Sequence, residues 1–233
     1  MTKQKNVAII LAAGQGKRMN TKMPKQYLLL EQKPILYYTI KNFQENSLID
    51  EIILVTEEKY IEYCNLELKE KYKFNKITSI IPGGKERYES VYNALKMIDD
   101  AGCVLIHDGA RPFISTEVIN KLLVAVNEYK ACVVGVKSKD TIKIVNDNQI
   151  VDNTPNRSSV YIIQTPQVFE YKIIRKAYDE YMSHMSCFVT DDSMVLEMLG
   201  THPIKVIEGE YTNIKITTPE DLIIAEKILN SLK

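Results

Sequence analysis

The 233-residue sequence has no excess charge of either sign, since thirty Lys and Arg residues balance thirty Asp and Glu residues. A protein that binds a polyanion such as DNA usually carries a basic face, so nothing favours a nucleic-acid partner. The sequence also lacks the roughly 20 consecutive apolar residues that a membrane-spanning helix needs. Its first residues include no apolar stretch of signal-peptide length. We therefore expect no nucleic-acid or membrane partner and a cytoplasmic location.

Cysteine is scarce as well. The four cysteines are scattered and form no CxxC pair, so the spacing typical of a zinc site or a redox motif is missing. Cys103 and Cys132 fall in strand-like apolar runs, where we expect buried, inert thiols. The hydrophobic content of 45% is enough for one well-buried core in a chain of this length but not for two. This predicts a single domain over residues 1–233.

Short apolar runs alternate with amphipathic stretches along the chain. The runs predict strands at residues 7–11, 51–56, 77–81, 103–107, 132–136 and 204–207. The amphipathic stretches predict helices at residues 35–44, 58–72, 87–98, 116–129, 171–181, 193–199 and 219–232, the last with Thr218 as its N-cap. Such alternation predicts an α/β fold with a doubly wound, mostly parallel sheet.

One segment breaks this alternation. Residues 141–145 and 150–152 flank a polar turn at 146–149, which predicts a β-hairpin. Two strands alone are marginally stable in water, so the hairpin needs a surface to pack on. We interpret residues 137–163 as an arm that pairs with a second subunit across a two-fold axis. Packing on the chain's own core is the alternative.

The most informative segment, Leu-Ala-Ala-Gly-Gln-Gly-Lys-Arg-Met at residues 11–19, follows the first predicted strand, and Pro-Lys-Gln-Tyr follows at 24–27. A strand that leads into a glycine-bracketed basic loop offers backbone N–H groups and positive charge to a polyphosphate. A dinucleotide-binding fingerprint would need glycine in place of Met19, and a Walker loop would need Ser or Thr in place of Arg18. The loop instead resembles the signature loop of nucleotidyltransferases.

Ligands of a doubly wound sheet bind beyond the carboxyl ends of its strands. Four predicted strands end in candidate ligand-binding residues: Gly14, Gly16, Arg18 and Lys25; Gly83, Gly84, Arg87 and Ser90; Asp108 and Arg111; and Lys215. Each has a simpler interpretation, since Gly83-Gly84 is a common turn pair and a lone Asp after a strand often caps a turn. Their convergence is more specific than any one of them.

Taken in order, these motifs closely resemble those of the 2-C-methyl-D-erythritol 4-phosphate cytidylyltransferases of the non-mevalonate isoprenoid pathway. The matching segments are residues 12–19, 24–27, 83–91, 107–112, 164–169, 190–192 and 213–222. Ribitol-5-phosphate cytidylyltransferases share many of them and are the nearest alternative, with other sugar-phosphate nucleotidyltransferases more distant. Ala110 and the acidic pair Asp191-Asp192 resemble the methylerythritol branch.

The resemblance implies transfer of CMP from CTP to methylerythritol phosphate, with release of pyrophosphate. The nucleophile is already an anion, so the reaction needs positioning and electrostatic stabilisation rather than a general base. Arg18 and Lys25 would stabilise charge around the reacting phosphorus. Mg²⁺ would bridge phosphate oxygens, with Asp108 as its candidate protein ligand. A non-catalytic nucleotide-binding module is disfavoured because it would not need every phosphate-facing charge.

The resemblance also implies the remaining roles. Catalytic roles fall to Arg18, Lys25, Arg157 and Lys215. Nucleotide-binding roles fall to Ala12, Ala13, Gly14, Gly16, Lys25, Gly83, Gly84, Arg87 and Ser90. Acceptor-binding roles fall to Asp108, Arg111, Thr141, Arg157, Thr165, Thr190 and Lys215. In this family the arm of one subunit reaches into its neighbour's site, which implies a homodimer in which Thr141 and Arg157 act in trans.

Overall fold

The computed structural model of the chain describes residues 4–14, 16, 19, 23–184, 188–200 and 202–232. The strands are β1 (Asn6–Ala12), β2 (Leu29–Leu30), β3 (Lys33–Pro34), β4 (Glu51–Thr56), β5 (Ile77–Pro82), β6 (Cys103–Asp108), β7 (Ala131–Lys137), β8 (Ile144–Val145), β9 (Val151–Asn153), β10 (Tyr161–Glu170) and β11 (Lys205–Glu208). The helices are α1 (Ile35–Glu45), α2 (Ile61–Tyr63), α3 (Arg87–Lys96), α4 (Thr116–Tyr129), α5 (Tyr171–His184), α6 (Asp192–Leu199) and α7 (Pro219–Ser231).

Seven strands form one sheet in the order β11-β7-β10-β6-β1-β4-β5. Parallel pairing joins β6, β1, β4 and β5 in turn, and joins β7 to β11. The mostly parallel α/β sheet expected from the sequence is therefore confirmed. Strand β10 lies between β6 and β7 and is antiparallel to both. It was not predicted, because Pro166 and its polar neighbours interrupt the apolar pattern; the register shifts between Ile163 and Gln167, an irregularity that accommodates a proline.

Side chains of β1 alternate between two hydrophobic layers, as the period of a strand requires. Ala8 and Ile10 pack in one layer with residues of α1 and α4. Val7 and Ile9 pack in the other layer with residues of α3, α5 and α6. Because both faces of the sheet are covered, the central strands consist mainly of apolar residues.

The helix predicted at 58–72 is irregular: a 3₁₀ turn at Glu58–Tyr60 leads into α2 and then into a π-helical segment at Cys64–Glu70. The predicted N-cap of the last helix is confirmed, since Thr218 and Asp221 form a capping box at the start of α7. Within the described ranges, no helix has the length and apolar character needed to cross a membrane.

The predicted hairpin is present, with β8 and β9 paired antiparallel. Its apolar side chains face solvent in the single chain, with Ile150 63% exposed and Val151 52% exposed. The hairpin therefore does not pack on the chain's own core. It leaves apolar side chains that one chain cannot bury.

Candidate active site

A cavity of about 330 Å³ lies at the carboxyl ends of β1, β5 and β6. Many of the predicted site residues line it: Ala13, Gly14, Gly16, Lys25, Gly84, Arg87, Ser90, Asp108 and Lys215. Gly83 lines an adjoining depression together with Gly84, and Ala12 is the buried last residue of β1. Arg18 lies outside the described residues. The strand ends chosen from the sequence thus meet at one place.

The loop after β1 is held from below by Gln26. Its side-chain amide donates hydrogen bonds to the carbonyl of Ala12 at 2.5 Å and to the carbonyl of Gly14 at 3.0 Å. Lys25 opens a 3₁₀ turn and is 9% exposed. Gly16 has φ +64°, and a Cβ there would lie 3.3 Å from the backbone nitrogen of Lys25. Glycine therefore suits this position both for its backbone conformation and for the close approach of Lys25.

The loop after β5 is fixed by its own backbone and side chains. The backbone N–H of Gly84 donates to Ser90 Oγ at 3.0 Å. Glu86 and Glu89 form a capping box at the start of α3. A Cβ on Gly83 would lie only 2.5 Å from the Cβ of Ala13, so the loops after β1 and β5 touch at a point where only glycine fits.

Asp108 is surrounded by cations at the end of β6. Lys215 Nζ lies 2.9 Å and Arg111 Nε 3.5 Å from its Oδ2, while Arg87 Nε lies 3.5 Å from its Oδ1. Burial opposes ionisation, but the three cations outweigh it and hold the pKa of Asp108 well below its usual range. Asp108 is therefore an anion at neutral pH.

His107 lies beneath Asp108, and both of its ring nitrogens have hydrogen-bond partners. The hydroxyl of Thr165 accepts from the backbone N–H of Asp108 at 3.0 Å and lies 3.1 Å from His107 Nδ1. The hydroxyl proton then points to Nδ1, which leaves Nε2–H to donate to the carbonyl of Arg111 at 3.0 Å. Burial lowers the pKa of His107 to about 4, so the ring is neutral at pH 7. It is a structural histidine at the base of the site.

Arg87 makes its strongest contacts outside the nucleotide loop. Its Nη1 and Nη2 donate to Oδ1 and Oδ2 of Asp192 at 2.8 and 2.7 Å. Asp192 is 0% exposed and also accepts from the Tyr178 hydroxyl at 2.7 Å. Burial opposes the charge of Arg87, but Asp192 and Asp108 raise its pKa above the usual value. Neither Asp192 nor Gln26 was singled out as a site residue from the sequence, although both lie within the matching motifs.

Five of the predicted acceptor-binding residues do not line the cavity of this chain. Arg111 and Thr165 contact Asp108 next to it, whereas the other three lie elsewhere. Thr190 is exposed, with Oγ1 3.8 Å from the sulfur of Met194. Thr141 and Arg157 lie on the exposed arm, where Arg157 Nη1 donates to the carbonyl of Lys139 at 3.4 Å. Among the described residues that line the cavity, none belongs to the arm.

The donor set does not fit a metal centre built by the protein. Within the part of the chain that the structure describes, no group of three or more His, Cys, Asp or Glu side chains could hold an ion. Asp108, the expected ligand, already has a cation on each carboxylate oxygen. A divalent cation would have to displace at least one of them.

Comparison with known proteins gives one consistent result. The family model of 2-C-methyl-D-erythritol 4-phosphate cytidylyltransferase matches residues 6–231. A relative with that name from Lachnoclostridium phytofermentans is 54% identical over 226 residues, which covers 97% of each chain. Another from Clostridium botulinum is 50% identical over 229 residues, or 98% of this chain and 99% of the relative.

Solved structures agree with this result. The crystal structure of 4-diphosphocytidyl-2C-methyl-D-erythritol synthase from Anaerococcus prevotii superposes with a TM-score of 0.87 and 40% identity, covering 97% of this chain and 96% of that one. That of 2-C-methyl-D-erythritol 4-phosphate cytidylyltransferase from Francisella tularensis superposes with a TM-score of 0.79 and 36% identity, covering 96% and 99%.

Proposed function

Since the chain belongs to the 2-C-methyl-D-erythritol 4-phosphate cytidylyltransferase family, we propose that its reaction takes place in the cavity beyond β1, β5 and β6. The enzyme transfers CMP from CTP to 2-C-methyl-D-erythritol 4-phosphate, giving CDP-methylerythritol and pyrophosphate. The observation that carries this placement is the meeting of Lys25, Arg87 and Lys215 with two glycine-bracketed loops around one cavity.

In the reaction, an oxygen of the acceptor phosphate forms a bond to the α-phosphorus of CTP while the bond to pyrophosphate breaks. The attacking oxygen carries no proton, so no base is required. The protein must hold two polyanions together and stabilise charge on the oxygens around phosphorus. We assign this task to Lys25, which is packed against Gly16 beside the loop, and to Arg18 by family resemblance.

The nucleotide occupies the side of the cavity formed by Ala13, Gly14, Gly16 and the loop after β5. The acceptor occupies the side formed by Asp108 and Lys215, with Arg111 beside Asp108. Thr165 lies beneath Asp108, and Thr190 lies two residues before the first residue of α6. Lys215 leaves Asp108 to hold the acceptor phosphate. Asp108, fixed by Arg111, is then available to accept a hydrogen bond from a substrate hydroxyl.

We propose that the enzyme is a homodimer formed through the arm. The exposed apolar side chains of β8 and β9 support this, because a symmetric partner surface would remove them from water. In the dimer, Thr141 and Arg157 complete the acceptor site of the neighbouring subunit. Neither residue reaches the cavity of its own chain.

We propose that Mg²⁺ binds to the phosphate oxygens of CTP, where it would keep several waters and need few protein ligands. The roles of Lys25, Asp108 and Lys215 do not require the ion. The proposed location is the cytoplasm, where the buried free thiols of Cys64, Cys103 and Cys132 would persist.

Pyrophosphate release from the purified protein tests the function. With CTP we expect rapid release in the presence of 2-C-methyl-D-erythritol 4-phosphate and slow release with ribitol 5-phosphate. UTP in place of CTP should support little release. Lys25→Ala is the matched control, and it should lower kcat by roughly 10²-fold or more while changing CTP affinity far less. Faster turnover with ribitol 5-phosphate would assign the enzyme to the other acceptor.

A further inference from the structure

We propose that Arg87 is a positioning residue for the acceptor side of the cavity, and that it acts by bonding to Asp192 and Asp108 rather than to the nucleotide. This inference rests on the proposed placement of the acceptor beside Asp108. It reassigns a residue that the sequence resemblance puts among the nucleotide contacts.

The first argument is the geometry of the guanidinium group. Its two terminal nitrogens bond to both oxygens of Asp192, and Nε faces Oδ1 of Asp108 at 3.5 Å. A bidentate pair of this kind uses the planar fork of arginine, with its donors fixed in direction. The polar edge of the side chain is therefore engaged by two carboxylates.

The second argument is the burial of Asp192. Its side chain is 0% exposed, its remaining hydrogen bond comes from Tyr178, and its backbone N–H donates to Gln167 Oε1 at 3.0 Å. A buried carboxylate that loses its cation is strongly destabilised. Asp192 opens α6, directly after Thr190 and the N-cap Asp191. Arg87 therefore fixes the start of α6, two residues after Thr190.

The third argument is the orientation of Asp108. Lys215 and Arg111 both face its Oδ2, whereas Arg87 faces Oδ1. When Lys215 turns to the acceptor phosphate, Arg87 stays on the opposite oxygen. The carboxylate then keeps its direction and its charge while the acceptor binds.

The fourth argument is that the nucleotide loop does not need the Arg87 side chain. Ser90 Oγ accepts from the backbone N–H of Gly84, and Glu89 accepts from the backbone N–H groups of Lys85 and Glu86. These bonds remain when the guanidinium is removed. Substitution of Arg87 should therefore weaken the binding of the acceptor.

The test uses Arg87→Lys and Asp192→Asn in the full-length enzyme. Steady-state rates are measured with CTP and 2-C-methyl-D-erythritol 4-phosphate, each varied in turn, and CTP affinity is measured by calorimetry without acceptor. We expect each variant to raise the acceptor KM by about tenfold or more, because neither can form the bidentate pair. The CTP Kd should stay within about twofold of wild type, and the double variant should cost less than the two singles combined.

Two further variants separate positioning from folding. Tyr178→Phe removes one hydrogen bond to Asp192 and should raise the acceptor KM to a smaller degree. Arg175→Ala removes the ion pair with Asp179 on α5 and a hydrogen bond to the carbonyl of Leu95, away from the cavity, and should leave both substrates unaffected. Thermal unfolding shows which variants remain folded at the assay temperature.

A loss of CTP affinity as large as the rise in acceptor KM would overturn the proposal and return Arg87 to the nucleotide. An unchanged acceptor KM in folded Arg87→Lys and Asp192→Asn would overturn it as well. Failure of the proposed function would look different, since the wild-type enzyme itself would then not transfer CMP to this acceptor.

Discussion

Gln26 shows how a single amide can organise a phosphate-binding loop. It is 2% exposed and bonds to the carbonyls of Ala12 and Gly14, next to Lys25 in sequence. Gln26→Ala would leave two carbonyls without this donor and free the loop that we propose to bind the triphosphate. We expect a raised CTP KM, a lower kcat and little change in acceptor KM, as measured by steady-state kinetics.

Gln44→Ala is the matched control for this change, because its amide bonds to Asn75 on the surface, away from the cavity. It should leave the CTP KM unchanged. A folded Gln26→Ala enzyme with wild-type CTP kinetics would mean that the loop keeps its conformation without the amide.

His107 gives the protein a defined response to acid. Its pKa is lowered from 6.5 to about 4 by burial, so between these values the unfolded chain binds a proton that the folded chain does not. The free energy of unfolding should therefore fall as pH drops from about 6.5 toward 4, with a limiting slope of about 1.4 kcal/mol per pH unit. Above that window this residue contributes no pH dependence.

Urea denaturation at pH 7, 6 and 5 measures this slope in wild type and in His107→Gln. The variant is less stable overall, but its free energy of unfolding should change less between pH 7 and pH 5. Carboxylates with lowered pKa values lose their contribution only at lower pH, so they do not interfere in this range. Equal slopes in the two proteins would assign the acid response to another group.

At the scale of elements, β10 is a strand that the local sequence pattern does not predict. Strands such as β1 and β6 could be predicted because both of their faces are buried in apolar layers. In β10 the polar residues are buried too, since Gln164 donates to the carbonyl of Glu210 and Gln167 binds the start of α6. Their partners come from distant parts of the chain, so no local pattern encodes them.

The same limit applies to the site. Glycines, Lys25 and Asp108 could be placed from strand ends alone, because the carboxyl edge of the sheet collects them. The bond between Arg87 and Asp192 joins residues 105 positions apart. The local sequence around neither Arg87 nor Asp192 predicts this ion pair.

Gln167 in β10 should contribute measurably to the stability of the fold through its bonds to the start of α6. Its Oε1 accepts from the backbone N–H groups of Asp192 and Ser193 at 3.0 and 2.9 Å, and its Nε2 donates to Asp191. Gln167→Ala leaves these groups unpaired in a buried position. We expect the free energy of unfolding to fall by about 1–3 kcal/mol, measured by urea denaturation. A loss no greater than that of a substitution at an exposed residue would contradict this view.

At the scale of the whole molecule, the proposed dimer would divide each site between two chains. Arg157→Ala and Lys25→Ala enzymes should each be nearly inactive. In a mixed dimer one site carries both lesions and the other carries neither. Random exchange of equal amounts should therefore recover about a quarter of the wild-type rate, since half the dimers are mixed and each has one intact site of two.

The measurement is CMP transfer after mixing and incubation, with subunit exchange verified by native mass spectrometry of a tagged partner. Each variant mixed with itself is the control. No recovery despite verified exchange would place Arg157 in its own subunit's site or give the arm another role.

Asp108 is a built-in counter-ion for the cations that surround it, much like the anion on a loaded ion exchanger. The tethered carboxylate offsets part of the positive charge of Lys215, Arg87 and Arg111 at close range. One carboxylate cannot balance three cations, so the cluster stays positively charged and attracts an anion. In the proposed reaction the acceptor phosphate, which carries more negative charge than one carboxylate, would displace Asp108 from Lys215. Once the product leaves, Asp108 would pair with Lys215 again.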